Sequence, residues 1–358
     1  MEIAIEDEDT FVQRFYGENT APYYDRLAQL GVSAMRISIQ WASLLPASQA
    51  RARRAPSSPD YDFSRVDAAI EEATARGITV QITLTGPVPA WASGNGRVGV
   101  NRPNASRFGR FTRTAAAHFR GKVTRFSVWN EPNLSAWIAP QREAGLIYRD
   151  LYRAAYKGIK AGAGSSAEVW IGETVPYDHG RNGLAPLEFL RQMACVDENY
   201  RRLRGRQRDR RCRGSLRANG YAHHPYDFAR APKGRYPGKD NATLGTLKNL
   251  TKGLDRLARA RALGPARMPI YLTEYGYFAS GKRSKPESTR AEYLPDAFAI
   301  AQRNPRVKQM LQYLLIQDEG NPFNTGLITQ AGVPERPFFT LAEWAQAAID
   351  SGDAKRPG

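Results

Sequence analysis

Two short stretches hold the residue types best suited to chemistry: Val128-Trp129-Asn130-Glu131-Pro132-Asn133 and Tyr271-Leu272-Thr273-Glu274-Tyr275-Gly276. Each is an apolar, β-prone run that ends on a carboxylate and then breaks at Pro or Gly. On a parallel barrel, residues at the C-terminal ends of strands face the mouth where substrates bind. Two glutamates delivered there from different strands would share one cleft. Cleavage of a glycosidic bond needs such a pair: an acid gives a proton to the leaving oxygen while a carboxylate attacks or assists.

Such a pair needs a rigid frame, and the alternation along the chain predicts one. Apolar runs at Ile3–Ile5, Ala34–Gln40, Thr79–Leu84, Thr124–Trp129, Val169–Gly172, Gly220–His223, Ile270–Thr273 and Gln312–Ile316 read as eight strands. Amphipathic stretches separate them, among them Tyr23–Leu30, Ser64–Arg76, Ala105–Phe119, Glu143–Ala161, Leu247–Leu263 and Arg290–Gln302. Gly31 and Gly77 read as helix-ending glycines just before the next strand. Strands alternating with helices to a count of eight favour an α/β fold, a single-domain (β/α)8 TIM barrel over residues 1–350. Ala47–Pro59, Asp178–Ala185 and Asp227–Asn241 read as long loops that build a cleft. Residues 351–358 read as a polar tail that frays.

Composition removes several other classes. At 358 residues and 42% hydrophobic content the chain can bury a large core. No apolar run is long enough to predict a membrane span. The net charge of +17 invites a nucleic-acid partner. The dense arginine cluster from Arg201 to Arg213, however, has only Tyr200 at its edge for stacking bases, and no phosphate-binding glycine loop is visible. A solvated basic face is the preferred reading. An anionic polysaccharide remains a candidate partner, because a basic field concentrates polyanions. No Cys/His spacing suggests a metal, and no cofactor is expected.

Cys195 and Cys212 bracket that arginine-rich stretch. They read as a disulfide stapling a loop, with two unrelated buried thiols as the alternative. A bridge implies an oxidising compartment, so a secreted or cell-surface location is expected. The acidic start (Glu2, Glu6, Asp7, Glu8, Asp9) is unlike a leader peptide, so either the protein stays inside or a leader lies outside this sequence; the disulfide reading favours the second.

With both glutamate motifs at the fourth and seventh strands, the chain resembles the retaining glycoside hydrolases built on (β/α)8 barrels. The likeness is greatest to the cellulase-like family 5 and xylosidase-like family 39 branches. The resemblance implies Glu131 as general acid/base and Glu274 as nucleophile. It further implies that Arg36, in Met35-Arg36-Ile37-Ser38, holds the nucleophile ionised, with a structural ion pair as the other reading. Asn130 would hydrogen-bond the sugar 2-hydroxyl, or else satisfy backbone groups. In Ala222-His223-His224-Pro225-Tyr226, His224 would bind substrate, Tyr226 would orient Glu274, and His223 would be structural. Trp41, Trp91, Trp137 and Tyr277, each placed after a strand, would offer apolar faces to sugar rings.

The chain departs from these relatives at strand 8. They commonly carry a tryptophan there, whereas this chain reads Ile316-Gln317-Asp318. Gln317 and Asp318 are then expected to contact substrate, with Phe323 as apolar surface. The expected reaction is hydrolysis of a β-linked poly- or oligosaccharide by double displacement. A non-catalytic glycan-binding barrel is the competing class, and it has no need of two glutamates. A glycosidase specialised for anionic cell-surface glycans is the third reading.

Overall fold

Period-two alternation sorts each strand into an inward and an outward face, and in the computed structural model this closes eight strands into a parallel barrel. The structure describes every residue except Glu319, and Gln207 by its backbone only. The strands are β1 (Glu2–Glu6), β2 (Ala34–Gln40), β3 (Thr79–Thr85), β4 (Arg125–Val128), β5 (Glu168–Thr174), β6 (Gly220–His223), β7 (Ile270–Leu272) and β8 (Val307–Tyr313). β1 pairs with both β2 and β8, which closes the ring. Each strand is followed by a helix of nine residues or more, from Ala21–Gln29 after β1 to Arg336–Asp350 after β8. The expected (β/α)8 barrel is what forms.

In β2, Met35, Ile37 and Ile39 join the large apolar layer beneath the helices. Ala34 points the other way and packs with Ala4 and Leu311 in a small cluster of its own. The period-two rule puts Arg36 and Ser38 on that same inner side, as it does Gln81 and Thr83 of β3. The barrel interior is therefore polar towards its mouth, beyond the small Ala4, Ala34 and Leu311 cluster. The helices flanking β4, Ala105–His118 and Ala144–Ala163, meet backbone to backbone. A Cβ at Gly158 would stand 2.3 Å from the Gly109 carbonyl oxygen, so glycine is needed for that approach.

The base is closed by ion pairs. Arg125 donates to both oxygens of Glu2 at 2.6 and 3.1 Å, and Lys355 reaches Glu2 at 3.2 Å. The polar tail therefore does not hang free as expected. Ala354 is buried, and the Lys355 N–H donates to the Met1 carbonyl at 2.9 Å. Strand 8 is the other correction, since it ends at Tyr313 instead of running from Gln312 to Ile316. Leu314 turns into the left-handed region at φ 62°, and one oxygen of the buried Asp7 accepts the N–H groups of Leu315 and Ile316 at 3.0 Å each. That apolar run is buried without being strand.

Cys195 and Cys212 form a disulfide with Cα atoms 5.7 Å apart. The segments on either side of the bridge hold the buried Arg149, which donates to the carbonyls of Met193, Arg211, Arg213 and Gly214. Most arginines between the two cysteines are exposed. No helix is long and apolar enough to cross a membrane among the described residues.

Candidate active site

Arg36 is the hub of the barrel mouth, and its five N–H donors meet five acceptors. Nε donates to Thr83 Oγ1 at 2.9 Å. Nη1 donates to Glu6 and, at 2.8 Å, to Glu274 Oε1. Nη2 donates to Glu173 and, at 2.8 Å, to Asn130 Oδ1. A guanidinium has no further donor to give. Both readings of Arg36 thus hold part of the answer: it grips Glu274, and it is also an ion pair with two other carboxylates. Its side chain is fully buried, so the expected contact with substrate is corrected to a purely positioning contact.

The fourth strand hands over to the site through an unusual backbone. Trp129 and Glu131 sit at φ 70° and 40°, and Glu173 after β5 sits at 55°. Left-handed backbone at three non-glycine residues around one mouth is strain held in place by the surrounding packing. Its effect is to turn Trp129 into the core, where it is fully buried, while Asn130 and Glu131 enter the mouth.

Glu131 and Glu274 meet across that mouth with His224 between them. His224 Nδ1 lies 3.0 Å from Glu131 Oε1 and 3.4 Å from Glu274 Oε2. One ligand-type atom from each of the three residues lies within 4.8 Å of the others. Such a trio could grip a divalent ion, which would occupy both carboxylates. Tyr226 donates to Glu274 Oε2 at 3.2 Å, the orienting contact expected of it.

Burial raises the pKa of Glu131 to about 7, against the pull of the Arg36 and His179 charges. It also pushes Glu274 well above the ordinary carboxylate range; Arg36 pulls it down, while Glu6, Glu131 and Glu173 add repulsion. Burial and the Arg36 cation hold His224 well below its usual value, so its imidazole is neutral. A neutral ring facing two carboxylates through Nδ1 donates from that atom. His224 Nε2 has no hydrogen-bond partner among the described residues, and it stands 4.0 Å from Glu173. Because His224 is wholly buried, the expectation that it binds sugar is corrected: it touches the two acids instead. His223 is structural as expected, bonded to Thr174 and to the Ala242 carbonyl.

A cavity of about 460 Å³ opens beside Glu274, lined by Asn130, Thr85, Trp137, Tyr313 and a series of acidic groups that includes Glu6, Glu8, Asp9 and Asp62. Asn130 spends its oxygen on Arg36, and its Nδ2 has no partner among the described residues. Trp137 is the tryptophan that does line the cleft. Trp41 does not: it is fully buried, stacked on Phe111 at 5.0 Å and edge-on to Trp91 at 5.2 Å. Trp91 is 7% exposed and donates to the Gln49 carbonyl. Tyr277 is 1% exposed and donates to the Arg230 carbonyl. All three are core residues, because the 3-10 turns and loops after their strands fold back beneath the helices. Gln317 lies outside the cavity lining, its N–H paired with the Ile328 carbonyl at 2.8 Å. Phe323 is exposed and packs near Phe278 and Phe228.

Glu6 and Glu173 are the members that sequence reasoning missed. Their signal was present: Ile3-Ala4-Ile5-Glu6 and Trp170-Ile171-Gly172-Glu173 are also apolar runs ending on a carboxylate.

Residues 3–172, just under half of the chain, match the family Cellulase (glycosyl hydrolase family 5). No curated relative matches the chain. Solved structures with the same fold include a family 39 glycoside hydrolase from the gut symbiont Bacteroides cellulosilyticus WH2, at TM-score 0.67 and 17% identity over 96% of this chain and 63% of that one. A GH5 subfamily 18 protein from Streptomyces cattleya, in complex with GlcNAc, aligns at 0.64 and 16% over 99% and 82%. An exo-β-1,4-mannosidase from Opitutaceae bacterium strain TAV5 aligns at 0.62 and 16% over 99% and 60%. The chain thus spans about three fifths of the length of two of these three proteins.

Proposed function

We propose that this chain, a glycosidase on a (β/α)8 barrel, hydrolyses a β-linked glycoside with retention, Glu274 acting as nucleophile and Glu131 as acid/base. One observation carries the reading: oxygens of the two carboxylates approach within 4.8 Å. A direct-attack mechanism needs carboxyl groups about 5–5.5 Å apart, whereas inversion needs about 6.5–9.5 Å to admit a water.

Burial favours the proton on both acids, so their donors decide where the charge rests. Glu274 accepts from the Arg36 cation and from Tyr226, while the groups facing Glu131, His224 and Trp137, are neutral. The anion therefore belongs on Glu274, and the proton on Glu131. Glu274 attacks the anomeric carbon as Glu131 protonates the departing oxygen. Esterification then removes the charge on Glu274, which lowers the pKa of Glu131. Glu131 can next take a proton from the water that breaks the ester. Asn130, with Nδ2 uncommitted, is placed to donate to a sugar hydroxyl beside the nucleophile.

The test is a panel of activated 2-fluoro-glycosides read by intact mass. A single adduct mapped to Glu274, with product of unchanged anomeric configuration by NMR, is the expected result. Labelling elsewhere, or inverted product, would end this reading. The disulfide supports a place in an oxidising compartment, outside the cytoplasm.

A further inference from the structure

A second cavity, of about 450 Å³, lies among the loops after β5, β6 and β7. That is room for a sugar ring or two. Its walls are aromatic: Tyr177 and Tyr236 stack with centroids 4.6 Å apart and planes 4° from parallel. Phe228 lies 4.7 Å from Tyr226, the residue whose hydroxyl holds Glu274. Tyr177 also stacks on His179, whose charge and that of Glu131 act on one another. The cavity therefore adjoins the site on the flank of the proton donor, where the leaving group departs.

Its charge is opposite in sign to that of the cavity beside Glu274. Arg230, Lys282, Arg283 and Lys285 line it against a single carboxylate, Asp227. Asp227 is buried and already committed: it accepts from the N–H groups of Ala229 and Arg230, and the Arg230 guanidinium lies 3.4 Å away. The Arg230 guanidinium rests over Tyr236 at 4.7 Å, poised beside the ring stack. Lys282 and Arg283 are exposed and have no ion-pair partner among the described residues. A neutral sugar would meet only the edges of this aromatic wall and leave the cations without a task. A ring that carries an anion would use both.

We propose that this cavity is the leaving-group subsite for a sugar ring bearing an anionic substituent, either a uronate carboxylate or a sulfate ester. The assignment rests on Glu131 being the proton donor. It narrows the substrate to glycans with an acidic residue on the reducing side of the cleaved bond.

Calorimetric titration with glucuronic acid, glucose 6-sulfate, glucose and inorganic sulfate tests it on the intact protein. At least one anionic sugar is expected to bind about tenfold or more tightly than glucose, with an affinity that falls as salt rises. The tighter of the two names the substituent. The double variant Lys282→Gln/Arg283→Gln is expected to lose this preference, and Arg283→Lys to keep most of it, with unchanged melting temperatures. Equal binding of all three sugars, bare sulfate binding as tightly as the sugars, or an undiminished preference in the double variant would each overturn the proposal. The titration needs no turnover, so such a failure leaves Glu131 and Glu274 in place. Failed labelling of Glu274 with sugar binding intact would instead remove the catalytic reading, and with it the assignment of this cavity to the leaving group.

Discussion

Glu131 and Glu274 share residue type and strand-end position with Glu6 and Glu173, yet the two pairs live in different surroundings. All four face Arg36 or its neighbours at the barrel mouth. The first pair keeps 14% and 12% of its side-chain surface open, the second 3% and 0%. Glu173 spends its oxygens on Arg36, Thr83 and Gln81. Glu6 spends its own on Arg36 and Ser38. Both keep almost no open side-chain surface for a reacting atom. Glu274 keeps access to the cavity, and Glu131 meets the neutral His224 and Trp137. Carboxylates of one kind are thus divided between holding the cation and doing chemistry, and accessibility is what divides them.

Four variants can break or sharpen this contrast. Glu274→Ala is expected to lower kcat about 10⁴-fold or more, because it removes the carboxylate placed to attack the anomeric carbon. Activity near the wild-type level would transfer the nucleophile role to one of the buried pair. Glu131→Gln should slow substrates with poor leaving groups by about 10²–10⁴-fold and spare activated aryl glycosides. The pH profile sharpens this second case. A donor whose pKa is raised to about 7 is protonated below that value, so kcat/KM should fall as pH climbs through 7. That limb should vanish in Glu131→Gln; its persistence would assign the ionisation to another group.

The same proton links to stability. Between the unfolded carboxylate range near 4 and about 7, the folded chain binds a proton that the unfolded chain has released. This contribution is fully present at low pH and declines across that window. Glu131→Gln, which removes a buried charge, is therefore expected to melt higher than wild type near pH 7.5.

Glu173→Gln should act differently from both. It weakens a buried ion pair, so the expected loss is about 3–5 kcal/mol of stability in chemical denaturation, as for removing one partner of such a pair. Its effect on kcat should be a smaller, indirect one through Arg36, and a loss as large as that of Glu274→Ala would erase the distinction drawn here. The smallest effect on catalysis belongs to Cys195→Ser/Cys212→Ser. Opening that loop should cost about 3 kcal/mol in stability while leaving kcat/KM unchanged, since the bridge sits beside the segments that hold Arg149 and not at the mouth.

The barrel was legible in the chain because its signals are local and repeated. Period-two runs such as Ala34–Gln40, punctuated by glycines at φ 65° and 71° (Gly31, Gly77), carry the strand count. The error at strand 8 came from Leu314-Leu315-Ile316, where apolar composition reported burial correctly. The secondary structure there was set by Asp7, three hundred residues away in sequence. The tryptophans failed for a related reason. Trp41 and Trp91 follow strand ends just as Trp137 does, and only tertiary packing, of Trp41 on Phe108 and Phe111 and of Trp91 on Trp41, decides that they face inward.

By itself the sequence determined the closed alternating architecture and placed two glutamates at the ends of its fourth and seventh strands. Hydrophobic periodicity and turn residues act over a few positions, and those positions are adjacent in the chain. Only the tertiary structure decided which strand-end carboxylates stay open, that His224 lies between two of them, and that one arginine satisfies five acceptors drawn from β1, β2's neighbour β3, and the ends of β4, β5 and β7. Those outcomes depend on desolvation and on charges brought together across the barrel, and neither is a property of any short stretch of chain.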